Sequence, residues 1–193
     1  MSRFSRYQVD PDVVRRAQAG DAKAHEIIYR TFSTPVFTLA RRMIREPAAA
    51  EEVLQDTFVS VIQKIGSFHG DAPLWAWIRQ IAVNKTLMLR RSSWYRNAQT
   101  LEDGMDEFVA TSGANTLETN IDLEEALRAL PDAARAVVWL HDVEGYTHKE
   151  IGRLMNKSES FSKSQLARGY RTLQAALDDP EEVRTCMRLS GSC

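Results

Sequence analysis

Cysteine is almost missing from this chain. There are two in 193 residues, Cys186 and Cys193, both within the last eight. That excludes a disulfide framework, and with no histidine near them it argues against a zinc site. Only nine glycines and six prolines are present, too few for a turn-rich all-β protein. No run approaches the roughly 18 apolar residues that a membrane helix needs. The first ten residues carry arginines but no apolar stretch, so they do not read as a secretory signal. There is no nucleophile–base pair, metal cluster or phosphate-binding glycine loop. The expectation is a cytoplasmic protein that is not an enzyme, needs no cofactor or metal and makes no membrane contact.

An excess of either charge is missing too: 25 basic residues face 26 acidic ones. The charges are instead segregated along the chain. Arg79, Lys85, Arg90, Arg91 and Arg96 follow one another with no acid between them. Residues 97–127 then hold eight acids and no Lys or Arg. Between Arg153 and Arg171 five basic residues stand against Glu159 alone. Phosphate binding depends on the local field more than on the sum, so two basic patches parted by an acidic stretch are compatible with nucleic-acid binding.

Apolar residues recur at helical spacing through most of the chain. Asp10-Pro11 is a start signal, Asp as N-cap and Pro in the first helical position. The helix over 11–30 is interrupted at Gly20-Asp21, and Asp21 can cap its continuation. Ile27, Ile28, Phe32, Val36, Phe37, Leu39, Ala40 and Met43 carry it to about Arg45. Pro35 marks either a kink or the opening of its second half. Glu46-Pro47 begins another helix with the stripe Val53, Leu54, Phe58, Val61, Ile62 and Ile65, ended by Gly66. A loop from Ser67 to Pro73 leads into a helix from Leu74 to Arg91, with Trp75, Ile78, Ile81, Ala82 and Leu89 on its buried side. Residues 97–121 have no period and read as a flexible acidic linker. Beyond it come a short helix over 122–130 and one over 132–143 capped by Asp132. A third runs from Thr147 to Met155, with Glu150 completing a capping box. A turn at Asn156-Lys157-Ser158 precedes the last helix, Ser160 to Leu177. The fold class is all-α: two small helical domains, 11–96 and 122–177, with a tail over 178–193.

The last two helices have the helix–turn–helix pattern, in which the first helix braces and the second presents its N-terminal residues to the major groove. Ile151, Leu154 and Met155 point the bracing helix at the core. Ser160, Ser162, Lys163 and Gln165 are expected to be exposed early on the recognition helix, with Arg168 and Arg171 later. Gln reads adenine, Lys reads guanine or holds a phosphate, and two arginines three apart grip the backbone. The plain alternative is a small helical domain with a solvated basic face.

Leu130-Pro131, Arg135, Gly145-Tyr146-Thr147, Glu150-Ile151 and Ser158-Glu159 together resemble region 4 of the extracytoplasmic-function group of bacterial sigma factors. The first block resembles region 2 of the same group: Ala49-Ala50-Glu51-Glu52 with Gln55-Asp56, then Phe68-His69-Gly70 and the helix through Asn84. The likeness covers roughly residues 11–96 and 122–177. It implies that the first block binds the clamp of core RNA polymerase and the −10 element, and that the second binds the polymerase flap and the −35 element. The linker would thread toward the RNA exit path. By this resemblance Glu51, Glu52, Gln55 and Asp56 face the polymerase. Phe68 and Asn84 help hold a flipped −10 base, and Arg79, Lys85, Arg90, Arg91 and Arg96 follow the strand. Aromatic and amide side chains beside a positive surface are what capture of an unpaired base requires. Trp75 reads as core, and Trp77 equally as core or as a groove or partner contact.

The chain departs from the family pattern at several points. Gly152 stands where relatives often have Ala. Ser160 and Ser162 replace a Gly and a Val of the recognition helix, and Met88 replaces an Asp. In the acidic motif the first acid is missing. That last departure resembles kinase-controlled members, in which a phosphothreonine supplies the charge. Glu51 would then stand where a phosphate acts, with Thr57 and Thr31 as other acceptors, and control would fall to a Ser/Thr kinase or an anti-sigma protein. Acids at a helix start are also favoured by its dipole, whatever they bind. The rival readings are a free-standing helix–turn–helix regulator, a sigma-like decoy for an anti-sigma protein, and an enzyme on a helical scaffold.

Overall fold

The computed structural model describes residues 3–100 and 126–178. The chain divides into two compact units, one over Met1–Asn97 with Val143–Gly145 and one over Ala98–Asp142 with Tyr146–Cys193. All regular structure among the described residues is helical. None of the described helices is long and apolar enough to cross a membrane.

In the first unit α1 spans Pro11–Gln18. Asp10 caps it by accepting from the Asp12 amide at 2.8 Å, and Pro11 takes the first turn, where its missing N–H costs nothing. Gly20, at φ 87°, makes the break, and Asp21 caps α2 (Ala22–Met43) through the amides of Lys23 and Ala24. Arg16 donates to Asp21 as well and, with these bonds, holds its carboxyl below the usual carboxylate range. Helix α2 is continuous through Pro35, which is buried inside it. It stops at Met43, two residues before the expected end, because Ile44 turns extended.

Helix α3 (Pro47–Lys64) packs on α2 and passes into a 3-10 turn, Ile65–Ser67. Its inner face is Ala50, Val53, Thr57, Phe58, Ser60 and Val61, which keeps Val53, Phe58 and Val61 of the expected stripe but not Ile62. Thr57 and Ser60 turn inward, so Ile62 is left 52% exposed, as is Val59. Ile27 of α2 likewise faces outward. Residues before α1 contribute as well, since Phe4 is buried and Tyr7 lies 6.3 Å from Phe32. Helix α4 runs Leu74–Thr100, well past the expected end at Arg91 and into the first residues read as linker. Ile78, Ala82, Val83, Thr86 and Leu87 are its buried face. Residues 101–125, the rest of the linker and the start of the helix expected over 122–130, lie outside the described residues, as does the tail from 179.

In the second unit the short helix α5 is described over 126–129, followed by α6 (Asp132–Val138). Pro131 occupies the N-cap of α6 and makes no side-chain bond there, so Asp132 is its first residue and not its cap. The helix continues as a five-residue π stretch, Trp139–Val143, where a single helix to Val143 was expected. Gly145, at φ 76°, turns the chain into α7 (His148–Met155), and α8 (Glu159–Asp178) lies on both α6 and α7. Two glycines permit close approach. A Cβ on Gly169 would lie 2.6 Å from Val138 Cγ2, and one on Gly152 would lie 2.9 Å from the Lys157 carbonyl.

Candidate nucleic-acid interface

The α7–turn–α8 unit is built as its sequence predicts. Thr147 Oγ1 accepts from the Glu150 amide at 3.3 Å, and the Glu150 carboxylate accepts from the Thr147 amide at 2.8 Å. Each side chain thus satisfies a backbone donor left over at the helix start. Asn156 ends α7 in the left-handed conformation at φ 55°, and the Lys157 amide donates to Gly152 O at 2.8 Å. The absent side chain of Gly152 lets this turn fold back so tightly. Ser158 then caps α8, its hydroxyl accepting from the Phe161 amide at 3.1 Å.

Along α8, Ser160, Lys163, Arg168 and Arg171 are exposed, and Gln165 is half-buried. Ser164, which the sequence reading passed over, shares this outer face. Lys163 is held 2.7 Å from Glu159, and that hydrogen bond keeps the Glu159 carboxyl below its ordinary range. The expectation for Ser162 is corrected. It is fully buried, with its hydroxyl 3.0 Å from His148 Nδ1, and cannot face DNA. A signal for this was present: the matching family position carries Val, a core residue, and Ser162 keeps an inward site by pairing its hydroxyl.

His148 also stacks on His141, ring centres 4.6 Å apart, while His141 and Tyr170 both hydrogen-bond Asp142. Burial first, then the neighbouring His141 and Lys163, push the His148 pKa down. Burial and the Asp142 carboxylate push the Tyr170 hydroxyl up. Sequence reading found none of this network, because its members are scattered over three elements.

In the first unit the Phe68 ring is half-buried against Trp77, centres 5.3 Å apart, and Asn84 is exposed on α4. Trp75 and Trp77 are both half-buried. Arg79 lies over Trp75, its guanidinium 5.4 Å from the ring centre, and is less open than expected. Arg91 is exposed and Arg90 half-buried, while the Arg96 side chain lies outside the described residues. Glu51, Glu52, Gln55 and Asp56 are all exposed on α3. The strip they form continues into the outward-facing Val59 and Ile62, of which the sequence stripe had assigned Ile62 to the core. Lys85 reaches back from α4 to Asp56 at 3.3 Å. These two residues, with Glu52, Val53, Met88 and Leu89, line an open groove of about 190 Å³. Thr57 is fully buried, so it is not placed to accept a phosphate, and the Thr31 hydroxyl is taken up by the Ile27 carbonyl at 2.7 Å.

Comparison with known proteins bears on what these surfaces serve. Residues 28–96 match the Sigma-70 region 2 family and residues 121–173 match Sigma-70, region 4. The chain is 31% identical over 169 residues to the ECF RNA polymerase sigma factor SigM of Mycobacterium tuberculosis, covering 87% of this chain and 84% of that one. It is 31% identical over 170 residues to the RNA polymerase sigma factor CarQ of Myxococcus xanthus, covering 87% and 97%. Among solved structures, the sigma factor RpoE of Bartonella quintana, in complex with the anti-sigma factor NepR, shares the fold. Its TM-score is 0.56 at 23% identity, covering 81% of this chain and 98% of that chain.

Proposed function

The chain belongs to the extracytoplasmic-function sigma factors of the sigma-70 family, and from that premise we propose how its surfaces divide the work of promoter recognition. It is an alternative sigma factor, which associates with core RNA polymerase and directs it to promoters. The domains divide as 11–96 and 122–177 around the linker. The exposed strip Glu51, Glu52, Gln55 and Asp56 on α3 meets the β′ clamp, and the second unit meets the β flap. Phe68 and Asn84 take the unpaired −10 base, with Lys85, Arg90 and Arg91 along the strand. Arg79 follows the strand with them, its guanidinium also lying over Trp75.

On α8, Ser160, Lys163 and Gln165 meet −35 bases, while Arg168 and Arg171 hold phosphates. The observation that carries this division is the capped α7–turn–α8 unit, whose outer face is basic and whose inner face is closed by Ser162. A free-standing regulator is disfavoured by the match to region 2. Glu51 supplies the charge that a phosphate supplies in kinase-controlled relatives. An anti-sigma protein is the further partner expected, since a sigma factor of this fold, RpoE, is found with one.

Binding to purified core polymerase tests the reading, with the parent beside the Glu51→Ala/Glu52→Ala double variant. The parent is expected to bind tightly and the double variant to bind at least tenfold more weakly, from loss of two charge-assisted contacts of about 1 kcal/mol each. A parent that binds duplex DNA but no polymerase would favour the free-standing regulator.

A further inference from the structure

Gln18, the last residue of α1, makes a contact that its position in the sequence does not announce. Its side-chain amide donates to two backbone carbonyls nearly fifty residues away, Phe68 O at 2.7 Å and Ile65 O at 3.2 Å. Only the NH₂ end can do this, because a carbonyl has no proton to give to the amide oxygen. The two carbonyls belong to the first and last residues of one turn. That turn is itself closed by the Phe68 amide donating to Ile65 O at 3.0 Å and by Ser67 Oγ donating to Lys64 O at 2.8 Å. One amide group therefore pins both ends of the turn from a separate helix. The pinned residue at its far end is Phe68, whose ring leans on Trp77. Beyond Phe68 the chain leaves the turn for a loop with Gly70 at φ 81°.

We infer that Gln18 is a positioning residue for capture of the unpaired promoter base: it fixes the Phe68 backbone and so sets the ring's angle against Trp77. The inference rests on the reading of Phe68 and Asn84 as the base pocket. Binding sites formed on loops depend on such supports, because a small displacement of the contacting group is enough to lose selectivity.

The test uses holoenzyme assembled from core polymerase and the full chain. The promoter fragment carries 2-aminopurine at the flipped −10 position, and parallel fragments carry each of the four bases there. Gln18→Ala is expected to lower discrimination among the four bases about tenfold, the effect of losing one exposed and one partly buried hydrogen bond, while −35 duplex binding stays unchanged. Gln18→Glu keeps the shape but sets oxygens against carbonyl oxygens, and is expected to be at least as severe. Phe68→Ala should abolish discrimination and the 2-aminopurine signal.

If Phe68→Ala abolishes discrimination and both Gln18 variants retain it, the positioning role is overturned and the pocket reading stands. If Phe68→Ala also retains it, the pocket reading fails and the role of Gln18 fails with it. A purely structural Gln18 would lower the unfolding temperature and weaken all four bases alike, and that result too overturns the inference.

Discussion

Replacing Gly169 with alanine measures how closely α8 lies on α6. The added Cβ would sit 2.6 Å from Val138 Cγ2, where carbon atoms in ordinary contact stand about 3.5–4.0 Å apart. About 1 Å of relief is needed. Val138 cannot provide it by rotating, since a β-branched side chain in a helix has one strongly preferred rotamer. The neighbouring Ala134 Cβ and Leu130 Cδ2, both at 3.7 Å, would be ordinary contacts. Overpacking of this kind costs about 1–3 kcal/mol. Against it stands the helix-propensity gain of Gly→Ala, about 0.8–1 kcal/mol. The packing cost wins, and the expected net loss is about 1 kcal/mol, or roughly 4–8 °C in the midpoint of a small domain.

The assay is thermal and denaturant unfolding of the full chain with Gly169→Ala, Val138→Ala and the double variant. Val138→Ala removes the methyl that clashes, so the double variant should be more stable than the sum of the single losses by about 2 kcal/mol, the overpacking cost itself. A higher midpoint for Gly169→Ala, or strict additivity in the cycle, would refute the close approach of the two helices.

Thr147→Ala removes the capping box of an eight-residue helix, and a loss of about 1 kcal/mol is expected, seen first as faster amide exchange in α7. The lowered pKa of His148 makes the folded state bind its proton more weakly than the unfolded state does. Stability at neutral pH is therefore kept, and it falls as pH drops through the unfolded value near 6.5. Midpoints measured from pH 7.5 to 5.5 should fall less steeply for His148→Asn than for the parent. Arg171→Ala should weaken DNA binding evenly across promoter sequences and lower the salt slope by about one. A sequence-selective loss would instead make Arg171 a base reader.

What was legible in the sequence was local chemistry. Asp10, Asp21 and the Thr147/Glu150 pair announce their helices because a cap is set by residues within one turn. The turn at Asn156 was legible for the same reason. What depended on packing was not. Ile62 was read as core because apolar residues usually point inward, yet Thr57 and Ser60 occupy the inner face of α3. Gly169 carries no signal in its own neighbourhood; its meaning lies in Val138, a residue of another helix. The stacked pair His141 and His148 likewise comes from elements brought together only by folding. Among the candidate site residues, exposure followed expectation on α3. It failed at Ser162, where a hydroxyl was taken as a sign of surface although a buried partner satisfies it.

The ion pair between Asp56 and Lys85 joins a residue read as facing polymerase to one read as facing DNA. In the free protein each neutralises the other. A polymerase cation that takes Asp56 releases Lys85 for a phosphate, and a phosphate that takes Lys85 releases Asp56. The two ligands are thereby thermodynamically linked, and linkage is reciprocal. An exposed pair is worth about 0.2–1 kcal/mol, so either partner can tighten the other by at most about fivefold through this contact. It is a small bias, and its direction favours DNA held by the assembled holoenzyme over DNA held by the free factor.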